Sequence, residues 1–305
     1  MIKHVTIMST LALLLQACSG GDNQKTCRGL SSDAEAIACL LKLPRRNVLE
    51  DKEFADYLTK HGVYVSVTTT PVRLSRLPQV FETLDLSLVK KVFLVLPKEF
   101  ANKKGATYPA VPEALLKLPK IEVLTPNEDY GTATKILPAL EKLKIEDPES
   151  ILITIDDDVG YAPGMLGELA LRSFKENIAV AGGGQSAEFF GLDRDINWMF
   201  PERDSVDILE GVSGVAYQTK FFSEDDIEKM KTWVRRSNDC RFSDDFMLSH
   251  VLEQHAIRKI IIKNEYMPEY VPFTYGFQDD ARHLGANGEY LNPIKYRACG
   301  LEIYK

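Results

Sequence analysis

The sequence predicts an α/β fold, a Rossmann-like and mostly parallel sheet flanked by helices. Three observations carry this. Short β-prone runs alternate with helical segments along most of the chain, the pattern that builds parallel sheets. Several of these runs are almost continuously apolar, as strands buried on both faces are. One of them, Ile151-Leu152-Ile153-Thr154-Ile155, leads directly into Asp156-Asp157-Asp158. Charge is not stable inside such a layer, so the acids must stand beyond the C-terminal end of the strand, where open α/β sheets bind their ligands.

Taken in order, Ser32-Asp33-Ala34-Glu35 predicts a capped helix continuing to Leu41, and a second short helix is expected over 50–60, before Gly62. These two form an N-terminal helical extension, residues 19–61, ahead of a single catalytic domain, 62–305. Strands are expected over 63–69, 92–96, 121–124 and 151–155. Helices are expected over 77–85 and 113–118, and from Asp129 to about Leu143. Beyond the acids, a helix over 165–176, strands over 178–181 and 206–209, a helix over 224–235, a helix over 246–255 and a strand over 257–262 follow. Residues 185–207, with Phe189, Phe190, Trp198, Met199 and Phe200, have weak periodicity and read as an irregular flap. The tail 263–305 also reads as irregular.

The termini and composition set bounds. The formal net charge of −7 argues against a nucleic-acid partner. No internal apolar run approaches the length of a membrane span. Lys3 and His4 precede an apolar run to Leu15, the length of a signal-peptide core. It ends in Leu15-Gln16-Ala17-Cys18, which resembles a bacterial lipobox. The resemblance implies a signal segment over 1–18, lipid on Cys18 and attachment to a membrane, on the exported side or, with an uncleaved anchor, on the cytosolic face. Four cysteines remain, an even count that suits disulfides in an exported chain. Of the three pairings, Cys27–Cys39 is local and Cys240–Cys299 pins the C-terminus to the core, so these are the expected ones.

The chemistry starts at the acids. In an extended chain Asp156 and Asp158 point one way and Asp157 the other. Hard oxygen ligands suit Mg2+ or Mn2+ held together with phosphates. The bland alternative is an acidic loop that only meets water. Each βα turn presents polar residues at the same rim, so Arg73, Asp129, Lys135 and the acids are expected to converge. Asp244 and Asp245 open a helix, where the dipole favours negative charge; capping the helix is their alternative role, and it needs only one of them.

Four segments in this order resemble glycosyltransferases of the GT-A fold, close to the family 2-like group. They are Thr69-Thr70-Pro71-Val72-Arg73, the Asp129–Lys135 segment, the acidic run, and Ser243-Asp244-Asp245. The acidic run resembles the DXD motif, and Asp244 stands where the later acidic motif of the family has Glu. The resemblance covers about residues 62–262. It implies a nucleotide-sugar donor, UDP- or GDP-linked, and a carbohydrate or other hydroxyl acceptor. Asp158 and Asp156 become metal ligands, with His283 a candidate third; His255 is a poorer one. Thr69, Thr70, Arg73, Asp129, Lys135, Asp156 and Asp157 become donor contacts. Asp245 becomes the base that takes the acceptor proton, ionised at neutral pH, with Asp244 beside it, and a single external base implies inversion. The glycine-rich acceptor loop of the family is only loosely matched by Glu210-Gly211-Val212-Ser213-Gly214.

Two other readings share the acid-tipped strand. One is a lipid-anchored carbohydrate-binding protein that has lost activity, motivated by export away from nucleotide-sugar pools. The other is a metal-dependent phosphohydrolase using Asp156 and Asp158. The downstream threonine and lysine motifs expected of that chemistry do not follow.

Overall fold

The computed structural model describes residues 27–101, 106–118, 120–186, 205–267, 270–277 and 292–303. The leader-like run with Cys18, most of the aromatic flap, and His283 lie outside these residues.

The strands are β1 (Val63–Thr68), β2 (Val89–Val95), β3 (Ile121–Leu124), β4 (Ile151–Thr154), β5 (Val159–Tyr161), β6 (Ala179–Ala181), β7 (Gly184–Gln185), β8 (Ile208–Leu209), β9 (Val215–Gln218), β10 (Lys259–Ile261) and β11 (Tyr270–Pro272). The helices are α1 (Asp33–Leu40), α2 (Lys52–Leu58), α3 (Leu77–Thr83), α4 (Glu113–Leu116), α5 (Leu137–Glu146), α6 (Met165–Glu176), α7 (Glu224–Arg236), α8 (Asp244–Gln254) and α9 (Asn292–Ile303). Seven strands form the main sheet in the order β10-β6-β9-β4-β1-β2-β3. All neighbours in it run parallel except β9, which is antiparallel to both β4 and β6. The expected fold class is the observed one.

The acid-tipped strand lies near the middle of the sheet and is covered on both faces. Ile151 and Ile153 join one core cluster with Phe54, Leu77 and Leu166. Leu152 joins the other, with Leu140, Tyr217 and Val251. Helices α2, α3 and α6 therefore pack on one face and α5, α7 and α8 on the other. Burial on both sides is why the strand reads as a continuous apolar run, and why its acids appear only after Thr154.

The N-terminal helices share this core. Ser32 and Asp51 cap α1 and α2 by accepting from the Glu35 and Phe54 N–H groups. Phe54 is fully buried and packs its ring 5.6 Å from that of Phe174 on α6. Burying such a side chain is worth roughly 1.5–3 kcal/mol, so α2 is fastened to the sheet layer. Both expected disulfides are formed, Cys27–Cys39 and Cys240–Cys299.

Four expectations need correction. Strand β9 was not anticipated. It is only four residues long, dilutes Val215 and Tyr217 with Ala216 and Gln218, and follows a glycine-rich turn, so its β signal is short and weak. Its position between two strands, not its sequence, makes it extended. The expected strand over 206–209 shortens to β8 and pairs with β7 outside the main sheet. The segment from Asp129 opens with a 3-10 turn, Gly131–Lys135, before α5. Gly131 has φ +66, and a Cβ there would meet the Arg241 carbonyl oxygen at 2.1 Å, so only glycine fits. The tail is not irregular throughout: β11 pairs with β5, and α9 carries Cys299 back to Cys240.

Candidate active site

The turn after β4 is held by its own backbone. The Asp156 N–H donates to the Tyr161 hydroxyl oxygen at 2.9 Å. The Tyr275 hydroxyl donates to the Asp157 carbonyl at 2.8 Å, and the Phe273 N–H to the Asp158 carbonyl at 2.7 Å. Residues of β5 and of the turn after β11 thus fix all three acids, although neither tyrosine was singled out from the sequence.

The side chains sort differently from the expected alternation. The chain leaves the extended conformation after Thr154 and turns at Asp157 and Asp158, so both of those acids reach one cation. The Arg73 guanidinium lies 3.1 Å from Asp157 Oδ1 and 2.9 Å from Asp158 Oδ2. Thr69 Oγ1 donates to Asp157 Oδ2 at 2.5 Å. Asp156 is the one set apart: its Oδ1 lies 2.7 Å from Lys135 Nζ. Thr70 is buried beside this cluster with its hydroxyl unpartnered.

Lys135 joins the two halves of the site. Its ammonium also lies 3.1 Å from Asp244 Oδ2, at the start of α8. That carboxyl oxygen is buried and has no hydrogen bond of proper geometry, so the ion pair is what holds it. Burial opposes the lysine charge, but Asp156, Asp244 and Asp245 outweigh it and push its pKa well above the usual value.

Asp129 does not join this network. Its Oδ1 accepts from the Gly131 N–H and the Thr134 hydroxyl, and its Oδ2 from the Ala101 N–H. Arg241, just before α8, donates to the Asp129 carbonyl at 2.5 Å and pairs with its carboxylate at 3.2 Å. Asp129 therefore shapes the turn that delivers Lys135 and ties it to the segment that delivers Asp244 and Asp245. An Asp-Tyr-Gly-Thr-Ala-Thr run gives the signal for this: an Asp with two donors within five residues.

The helix start also differs from expectation. Ser243 precedes α8 and makes no side-chain cap, and neither aspartate caps it. Asp244 is drawn to Lys135. Asp245 Oδ1 accepts from the Gly211 N–H at 3.0 Å, and the Tyr296 hydroxyl of α9 donates to Oδ2 at 3.3 Å. A Cβ at Gly211 would meet Asp245 Oδ1 and Lys135 Nζ, each at 2.9 Å, so any side chain there would displace one or both. Burial and the adjacent Asp244 push the Asp245 carboxyl well above the usual range, a direction opposite to the one the helix dipole alone favours.

Carboxyls outnumber cations here. Burial, Asp157 and Asp156 push Asp158 up to about 7. Burial alone pushes Glu210, which precedes Gly211, up to about 7. Against Asp156, Asp157, Asp158, Asp244, Asp245 and Glu210 stand Arg73 and Lys135 among the described residues. A surplus of hard oxygen donors matches a divalent cation in donor type. Among the described residues no group of three or more His, Cys, Asp or Glu side chains is arranged to hold a metal, so ligand oxygens would have to complete any such site.

No protein-family model matches the chain, and no curated protein does. Among solved structures the chain is similar to 4-diphosphocytidyl-2C-methyl-D-erythritol synthase, with a TM-score of 0.39 and 10% identity over 68% of this chain and 92% of that one. It is also similar to GalNAc-T7 with UDP, GalNAc and Mn2+, with a TM-score of 0.44 and 12% identity over 70% of this chain and 44% of that one.

Proposed function

We propose that this chain transfers a sugar from a nucleotide-diphosphate-linked donor, UDP- or GDP-linked, to a hydroxyl of a carbohydrate or other acceptor, with inversion. The observation that carries this is Lys135. It ties the acid turn after β4 to the acid pair opening α8, so two carboxylate groups from opposite halves of the fold meet at one ammonium. One group suits the phosphate end of a donor, the other an acceptor hydroxyl.

The residues divide the work accordingly. Asp158 would hold Mn2+ or Mg2+ together with donor phosphate oxygens, and Asp156 would join it only on leaving Lys135; the ion would supply charge neutralisation on the diphosphate leaving group. Arg73, already drawn to Asp157 and Asp158, offers a planar fork that phosphate oxygens match. Thr70, with its buried unpartnered hydroxyl, offers a hydrogen bond to the donor. Asp245 stands where the acceptor proton is removed, its two oxygens oriented by the Gly211 N–H and the Tyr296 hydroxyl.

The donor half is tested by Asp158→Asn. This substitution keeps the shape and half of the Arg73 contact but loses the charge. It should abolish Mn2+-dependent binding of UDP and GDP, read by calorimetry, with the melting temperature little changed. Equal affinity in both proteins would remove Asp158 from the site. Turnover of UDP- and GDP-sugars with Mn2+ tests the whole reading. Glycan binding without turnover would favour the carbohydrate-binding alternative, and phosphate release from simple esters the phosphohydrolase.

The exported, lipid-anchored location belongs to the same proposal. Two disulfides in a chain of this size fit an oxidising compartment. Cys18→Ser is expected to move the protein from membrane to soluble fractions or to leave it unprocessed. A native protein found without lipid by mass spectrometry would refute the anchor.

A further inference from the structure

Glu210 is a carboxylate the reaction as described does not use. Its backbone is fastened on both sides. Its N–H donates to the Gly183 carbonyl at 3.1 Å, and its own carbonyl accepts from the Ser213 N–H at 3.1 Å and the Ser213 hydroxyl at 2.7 Å. The next N–H, that of Gly211, donates to Asp245 Oδ1. The peptide after Glu210 is thus hydrogen-bonded to the Asp245 carboxyl. Yet no described residue donates to the Glu210 side chain, which is only half-buried. Buried structural carboxyls are paired, because an unpaired one costs stability. A pinned backbone carrying an unpaired, partly open acid is what a group awaiting a ligand looks like.

We infer that Glu210 is the second half of the base: Glu210 and Asp245 act as one unit that takes the proton from the acceptor hydroxyl. The inference rests on the transferase reading above. The acceptor oxygen forms its bond to the anomeric carbon as the bond from that carbon to the diphosphate oxygen breaks, and the nucleotide leaves with the electron pair. The acceptor proton passes to the Glu210 carboxylate and from there to solvent. Asp245, whose oxygens already accept from Gly211 and Tyr296, keeps the hydroxyl aimed.

The surroundings support this division. Burial brings Glu210 to about 7, near a working pH, whereas Asp245 is pushed well above the usual range by burial, Asp244 and, in smaller part, Glu210 itself. The charged or titratable groups around the pair are Asp244 and Lys135, Asp156 from the turn after β4, Tyr217 from β9, Tyr270 from β11 and Tyr296 from α9.

The test begins with full-length protein and whichever UDP- or GDP-sugar the unaltered enzyme consumes in the presence of Mn2+. Glu210→Gln is expected to lower kcat by about a hundredfold or more, the usual worth of a general base, with the calorimetric affinity for UDP or GDP unchanged. The variant should also lose the acid limb of the kcat–pH profile near 7. Because the pair acts as a unit, Glu210→Gln with Asp245→Asn together should be no slower than the slower single variant. Glu210→Asp, which keeps the charge, should recover part of the rate and controls for misfolding. A Glu210→Gln enzyme within a few-fold of normal, or a multiplicative loss in the double variant, overturns the pairing while leaving the transferase reading intact. An unaltered protein that binds UDP or GDP but transfers nothing, or binds neither, overturns both.

Discussion

Asp245→Asn is expected to reduce transfer by about a hundredfold or more, the range for a lost general base, while donor affinity changes little. The substitution keeps the side-chain shape. An Asn oxygen still accepts from the Gly211 N–H or the Tyr296 hydroxyl, so the start of α8 should hold its place. What disappears is the carboxyl that aims the acceptor hydroxyl for proton removal. The neighbour is the control. Asp244 Oδ2 is held by Lys135 and is only 5% exposed, so Asp244→Asn should act on stability and acceptor affinity more than on kcat. The measurement is kcat for both variants with donor and acceptor saturating, alongside donor affinity by calorimetry. Loss of turnover in Asp244→Asn with near-normal Asp245→Asn would exchange the two roles. Near-normal rates in both would remove this segment from the chemistry.

What the sequence made legible follows from the range of the forces involved. Strand β4 is central and buried throughout, so its residues are apolar or small, and the run Ile151–Thr154 announces itself. The acids after it could be placed at the strand tip for the same reason. The disulfides could be paired because one was local and the other had a plain mechanical role. Strand β9 was hidden because its extended state is imposed by β4 and β6 rather than by Val215, Ala216, Tyr217 and Gln218 themselves. Helix α9 was hidden because its hold on the fold is mainly long-range: the Cys299 bond, Tyr296 stacked on Phe246 at 5.9 Å, and the hydroxyl on Asp245.

Within the site, residue identity was easier to read than protonation. Arg73, Lys135 and the acids were expected at one rim, and salt bridges join Arg73 to Asp157 and Asp158 and Lys135 to Asp156 and Asp244. Asp129 was expected there too, but its donors lie in its own turn, and that turn positions Lys135. The charge state of Asp245 depends on burial and on Asp244, Lys135, Asp156 and Glu210, groups spread over the chain. A helix-start argument sees only the dipole. Glu210 was visible only as part of a loosely glycine-rich loop, because nothing local shows that Gly211 would bring it to Asp245.

Lys135→Met is expected to unsettle both halves at once. The side chain keeps most of its length and apolar stem, so packing against the sheet survives. Its charge does not, and Asp156 and Asp244 are left without their cation. Removing one partner of a buried pair costs about 3–5 kcal/mol, and both Lys135 and Asp244 are more than nine-tenths buried. In urea unfolding the variant should show a deficit of that order. Adding Asp244→Asn to Lys135→Met removes one stranded charge and should restore part of the stability. Transfer should be lost in both variants, since the acid turn and the acid pair are no longer tied together. A negligible deficit, with no recovery in the double variant, would mean that Lys135 serves packing alone and that the two acid groups do not depend on it for their placement.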